Sequence, residues 1–189
     1  MPADPQRQPE SGTALPPTRH PVLIGMPGCG KSTLGRRLAR RLGRRFIDTD
    51  ACMEAAMGMS LQAYMDHHGD AAFAALEATT ARKLAPAQPS VIATGGSMVY
   101  SREAMTHLAS LGPVLFLDVP LAVLERRVGS GSGRGLLQRR SGGLAALYQE
   151  RHPLYQRHAS RVVPLADGDE EEQAAYLQAL LTSGQADRS

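Results

Sequence analysis

A glycine-rich segment, Gly25-x-x-x-x-Gly30-Lys31-Ser32, lies between an apolar run and a run rich in arginine. Glycines have no Cβ, so backbone N–H groups can turn inward around phosphate oxygens, and the N-terminus of a following helix favours the same anion. The lysine can reach the terminal phosphates, and the Ser32 hydroxyl can ligate Mg²⁺. The pattern predicts a loop that binds a nucleoside triphosphate through Gly28, Cys29, Gly30, Lys31, Ser32 and Thr33.

Apolar patterning predicts the elements on both sides of this loop. The run "PVLIGM" before it is typical of a strand that is covered on both faces of a sheet. After it, leucines at every fourth position predict a helix from Lys31 to Leu42, which Gly43 ends. The loop therefore joins a strand to a helix, which is the context that phosphate binding requires.

Strands and helices alternate along the rest of the chain. Helical composition extends from Met53 to Leu84, with breaks near Gly58 and around Gly69, and Pro153 is expected to interrupt a later helix. The alternation predicts a three-layer α/β fold with a mainly parallel, five-stranded sheet. The four further strands are predicted at "RRFIDTD", which ends in Asp48 and Asp50, and at "SVIATGG", "PVLFLDVP" and "SRVVPL".

Length and composition favour a single domain at residues 21–182, with a disordered tail at 1–20 and a flexible one at 183–189. Two cysteines suggest no disulfide framework, and no apolar run approaches the roughly 18 residues of a membrane span, so we expect a cytoplasmic protein without a membrane partner. The net charge of +3 is too weak to argue for nucleic acid, and paired arginines after the loop are interpreted as a solvated helix face. A monomer is the default expectation.

Four further motifs suggest what receives the phosphate. "LGRRLARRLGRRFIDTD", "GDAAFAALE", "VIATGGS" and "RGLLQ…ERHPLY" occur in an order and spacing that resembles the shikimate kinase family from Val22 to about Leu165. The resemblance implies a fold similar to P-loop nucleoside monophosphate kinases and transfer of phosphate from ATP, with Mg²⁺, to the 3-hydroxyl of shikimate. It also implies a place in the shikimate pathway of aromatic amino acid biosynthesis.

The same resemblance assigns roles to individual residues. Asp48, together with Ser32, resembles the Mg²⁺ site, and Asp50 resembles the residue that binds the acceptor hydroxyl. A carboxylate suits that position because the hydroxyl proton must leave as the bond to phosphorus forms. The acceptor site would consist of Asp50, Gly95, Gly96 and Arg151, and Ser97 replaces the third glycine of the family's "GGG".

Arg134 in "RGLL" matches the arginine of the family's lid, predicted here at about residues 129–143. Such an arginine closes over the transferring phosphate and stabilises its charge, so the predicted catalytic groups are Lys31, Asp50 and Arg134. Arg127 matches an arginine that stacks on adenine, and a solvated arginine at a helix end is the alternative interpretation.

One departure from the family concerns the acceptor's carboxylate. Arg151 matches one arginine clamp, but the second clamp position is Ala74. Arg82 and Arg102 are the two candidates that could take over the role of the missing clamp arginine. Arg82 lies two helical turns after Ala74. The sequence leaves three functions open: a shikimate kinase, a related kinase for another polyol or cyclic alcohol, and a nucleotide-binding module without catalysis.

Overall fold

The computed structural model describes residues 19–129 and 143–183. The lid arginine Arg134, most of the predicted lid and both predicted tails, apart from three residues, lie outside this part of the chain. The described strands are β1 Val22–Ile24, β2 Arg45–Asp48, β3 Ser90–Ala93, β4 Val114–Asp118 and β5 Arg161–Pro164. The described α-helices are α1 Lys31–Arg41, α2 Thr49–Met57, α3 Leu61–Lys83, α4 Arg102–Leu111, α5 Leu121–Gly129, α6 Gly143–His158 and α7 Glu170–Thr182.

All five strands are parallel and form one sheet in the order β2-β3-β1-β4-β5. Strand β1 is central, and its three residues are fully buried because helices cover both faces of the sheet. The three-layer fold predicted from the sequence is confirmed. Since the strands are parallel, the segments after β1, β2 and β3 meet at one edge of the sheet, where open α/β folds bind ligands.

The last helix packs on the first through charged side chains. Arg37 contacts Glu170 at 2.8 Å, and Arg41 contacts Glu171 at 2.7 Å. All four side chains are about one-third to one-half exposed, so water and salt screen the pairs and their contribution to stability is small. These two arginines of the basic stripe therefore join α1 to α7, rather than forming only a solvated face.

The predicted helix breaks are present, with one exception. Helix α2 ends at Gly58, which has φ 68°, and Gly69 has a non-helical φ of 80° inside α3. The predicted interruption at Pro153 is wrong, because α6 continues to His158. Proline removes one backbone hydrogen bond, but Arg151 and Tyr155 on either side of it are buried, and this packing keeps the helix continuous.

Among the helices at 19–129 and 143–183, none combines the length and the apolar composition needed to cross a bilayer.

Candidate active site

The glycine loop leaves the carboxyl end of β1, and α1 begins at Lys31. Gly28 and Gly30 have φ angles of 79° and 94°, a region that side chains with a Cβ disfavour. The Lys31 ammonium folds back and donates hydrogen bonds to the backbone oxygens of Gly25 at 2.8 Å and Met26 at 3.0 Å. The lysine is therefore held at the loop, within reach of any anion that the loop binds.

The other predicted loop residues differ in exposure. The Cys29 side chain is fully buried and belongs to the hydrophobic core, so it fills space beneath the loop. Thr33 is exposed on the first turn of α1.

Ser32 and Asp48 meet directly, although they come from α1 and β2. The Ser32 hydroxyl donates a 2.7 Å hydrogen bond to Asp48 Oδ2. The other Asp48 oxygen accepts the backbone N–H of Asp50 at 3.1 Å and so caps α2. A hydroxyl and one carboxylate fit Mg²⁺, which commonly takes one or two protein oxygens and completes its shell with phosphates and water.

Asp50 lies in the first turn of α2 and not on the second strand as predicted, because the Asp48 cap starts the helix at Thr49. Its Oδ1 atom is buried and has no hydrogen-bond partner among the described residues. Burial and the neighbouring Asp48 carboxylate raise the pKa of Asp50 to about 6, against the opposing charge of Lys31. A buried carboxyl with this pKa can accept a proton near neutral pH.

Glu77 is a second buried carboxyl that the sequence did not single out as functional. The Ser97 hydroxyl donates a 2.7 Å hydrogen bond to Glu77 Oε1. Burial raises the pKa of Glu77 to about 7, and the charge of Asp50 acts in the same direction, while Ser97 and Arg151 oppose it. Its position four residues after Phe73 on an apolar helix face was a usable signal.

Gly95 explains how the two carboxyls approach each other. A Cβ on Gly95 would lie 2.6 Å from Asp50 Oδ1 and 2.7 Å from Glu77 Oε1, so a larger residue there would force the two carboxyl groups to move. The Gly95 N–H donates to Thr49 Oγ1 at 3.1 Å. A Cβ on Gly96 would come within 3.0 Å of Arg151 Nη1.

A pocket of about 170 Å³ opens between these groups. Ala74 lines it, so the missing clamp position does face the predicted acceptor site. Arg151 is the one basic residue among the described residues that line it. Arg82 instead contacts Glu103 at 2.8 Å, and Arg102 lines a different cavity.

Arg151 is buried and oriented by Tyr100. Arg151 Nε donates a 3.0 Å hydrogen bond to the Tyr100 hydroxyl, and its Cζ atom lies 5.1 Å from the centre of the Tyr100 ring. Arg127, by contrast, contacts Asp167 at 2.9 Å at the end of α5. This contact anchors the guanidinium that was predicted to stack on adenine.

Glu77 gives the protein a pH-dependent stability. Its pKa rises from 4.5 in the unfolded chain to about 7, so the folded state alone retains the proton between these values. The free energy of unfolding should therefore fall as pH rises through this window, by on the order of 2–3 kcal/mol. Glu77→Gln should remove this contribution in urea titrations at pH 5 and pH 8. The exposed Glu103→Gln should keep the wild-type slope, and a Glu77→Gln slope equal to wild type would contradict the assignment.

The glycine loop and the Ser32–Asp48 pair lie beside a buried carboxyl at one edge of a parallel sheet, which is the arrangement of a P-loop phosphotransferase. The family model for shikimate kinase matches residues 27–182. The chain therefore belongs to the shikimate kinase family.

Curated relatives and solved structures agree with this assignment. The shikimate kinase of Paracidovorax citrulli (strain AAC00-1) is 41% identical over 145 residues, which cover 75% of this chain and 79% of that protein. The enzyme of Thermobifida fusca (strain YX) is 38% identical over 157 residues, which cover 82% of this chain and 91% of that protein. The structure of the Acinetobacter baumannii shikimate kinase in complex with shikimate has a TM-score of 0.82 at 28% identity, covering 90% of this chain and 97% of that one.

Proposed function

We infer that this chain is an ATP-dependent kinase that phosphorylates the 3-hydroxyl of shikimate. The observation that carries the chemistry is the buried Asp50 Oδ1 atom, which has no hydrogen-bond partner within residues 19–129 and 143–183. Asp50 also lines a small pocket beside the phosphate-binding loop. Membership of the shikimate kinase family supplies the identity of the acceptor and of the nucleotide.

The geometry supports different roles in binding and catalysis for the residues of the site. We propose that the loop amides and Lys31 bind the ATP phosphates, and that Ser32 and Asp48 bind Mg²⁺, which when bound neutralises phosphate charge. Asp50 accepts the proton of the attacking hydroxyl as its oxygen bonds to the γ-phosphorus of ATP, and the bond from that phosphorus to the departing ADP oxygen breaks. Arg151 pairs with the acceptor carboxylate through two parallel N–H donors, and this contact aims the hydroxyl at the phosphate.

The role of the lid arginine in catalysis is proposed from the sequence alone. Arg134 lies outside the described residues, and its proposed role is to stabilise the transferring phosphoryl group. Arg127, fixed by Asp167, is proposed to border the adenine site. The protein is proposed to work as a cytoplasmic monomer on a small molecule, without nucleic acid or membrane.

The two alternatives left open by the sequence are not favoured. Nucleotide binding alone would not explain why a carboxyl whose pKa is raised by burial lies beside an intact phosphate-binding loop. A different acceptor was suggested by Ala74, but the family match over residues 27–182 and relatives near 40% identity support shikimate.

A coupled assay of ADP release tests the function directly. Saturable turnover with shikimate, and little with quinate or gluconate, is the expected result. Turnover only with another alcohol would transfer the function to a related kinase. Magnesium-ATP binding by calorimetry without turnover on any acceptor would indicate the non-catalytic module.

Ala74 provides a test of the acceptor's orientation. Ala74→Arg should lower the KM for shikimate by about ten- to a hundredfold, because a second charge-assisted hydrogen bond contributes about 1.5–3 kcal/mol. Steady-state kinetics at saturating ATP measure the effect. Ala75→Arg adds the same charge at the next residue, outside the lining of the pocket, and should leave KM unchanged. An unchanged KM in Ala74→Arg would show that the carboxylate does not face this helix.

A further inference from the structure

A second cavity lies behind the acceptor pocket, on the far side of Tyr100. It has a volume of about 500 Å³, within the range of sites for small organic ligands. Helices α4 and α6 and the short 3-10 helix Met98–Tyr100 form its walls. Its lining residues are Val99, Tyr100, Arg102, Thr106, Leu154, Arg157 and His158.

Among the described residues that line this cavity, the charged ones are all basic. Arg102 and Arg157 are exposed, and within residues 19–129 and 143–183 neither forms an ion pair. His158 is half-buried, and burial and the two neighbouring guanidinium groups lower its pKa. The two guanidinium groups that line the cavity give it a positive potential, which an anion would relieve.

The remaining lining is apolar or weakly polar. Val99 and Leu154 supply a hydrocarbon surface, and Thr106 adds a hydroxyl. Arginine guanidinium groups present paired donors that match carboxylate and phosphate oxygens. The combination suits a small organic anion with an apolar body.

Tyr100 connects this cavity to the acceptor pocket, because it lines both. It is also the residue that orients Arg151, through the 3.0 Å hydrogen bond to Arg151 Nε. A ligand in the second cavity that contacts the Tyr100 ring would therefore bias the position of the Arg151 guanidinium in the acceptor pocket. Such coupling requires only that the ligand favours one arrangement of Tyr100 over another.

We propose that the cavity formed by Arg102, Arg157 and His158 is a second binding site, which takes a small carboxylate or phosphate ester with an apolar body and acts on acceptor binding through Tyr100. The cavity lies outside the proposed ATP and acceptor sites, so probe binding does not depend on which alcohol is phosphorylated, whereas the effect on the KM for shikimate rests on the proposed function.

Isothermal calorimetry on the full chain tests this site, with phenyl phosphate and benzoate as probes. The protein is first saturated with shikimate and a non-hydrolysable ATP analogue, so that the loop and the acceptor pocket are occupied. Saturable binding of either probe is expected, and the probe that binds more tightly distinguishes a phosphate site from a carboxylate site. Arg157→Gln and Arg102→Gln should each weaken binding at least tenfold, the loss of a charge-assisted hydrogen bond.

Arg40→Gln is the matched control, because Arg40 is an exposed arginine on α1. It removes one positive charge and should leave probe affinity unchanged. The probe should also change the KM for shikimate of the wild type, and this effect should be absent in Arg157→Gln. Circular dichroism verifies that each variant folds. Absence of binding to the saturated protein would overturn the proposal, and so would equal weakening by Arg40→Gln. Binding without any change in KM would overturn the role of Tyr100.

Discussion

Asp50→Asn should reduce kcat by about 10²- to 10⁴-fold, the usual contribution of a general base. Asparagine has nearly the shape of aspartate, so the buried site at the start of α2 should be preserved, but the amide cannot accept the hydroxyl proton. Binding of magnesium-ATP, measured by calorimetry, should be unaffected because the loop and Lys31 are unchanged. Glu125→Gln, which neutralises an exposed carboxylate on α5, should retain wild-type turnover.

The pH profile adds a second test of Asp50. The pKa of Asp50 is raised to about 6, and only its ionised form can act as a base. The wild-type kcat/KM, which reports the pKa values of the free enzyme, should therefore fall tenfold per pH unit below about pH 6. The residual kcat/KM of Asp50→Asn should not show this acidic limb. Near-normal turnover in Asp50→Asn, or an acidic limb that persists in it, would remove Asp50 from the chemistry.

The sequence predicted the sheet and the loop because their signals are local. Strand β1 is a continuous apolar run, and α1 has leucines at every fourth position. The Lys-Ser pair after the glycines favours a phosphate-binding loop over an ordinary glycine turn at the same strand-to-helix junction. The parallel arrangement then followed from the alternation of elements. These features depend on neighbouring residues alone, so a single chain reveals them.

Features that depend on distant contacts were missed. The spacing from Phe73 places Glu77 on the buried face of α3, but its pairing with Ser97, 20 residues further along the chain, is formed only in the folded protein. The continuous helix through Pro153 depends on the burial of Arg151 and Tyr155, which outweighs one lost hydrogen bond. Propensity and spacing cannot supply such tertiary contacts.

Arg151→Gln should raise the KM for shikimate by on the order of 10²-fold or more, with a smaller change in kcat. Arg151 is the one basic residue among the described lining of the pocket, and it is buried. Removing one partner of a buried, hydrogen-bonded charge pair costs about 2–5 kcal/mol, and each 1.4 kcal/mol is tenfold. Arg151→Lys keeps the charge but lacks the planar fork held by Tyr100, so its KM should lie between those of wild type and Arg151→Gln.

Shikimate methyl ester separates this carboxylate contact from a general disturbance of the pocket. The ester lacks the negative charge, so wild type and Arg151→Gln should have similar KM values for it. A loss that is equally large for the acid and the ester would show that Arg151 supports the fold of the pocket instead of binding the carboxylate. Adding Ala74→Arg to Arg151→Gln should recover part of the affinity for the acid alone, because an arginine at position 74 faces the same pocket from α3.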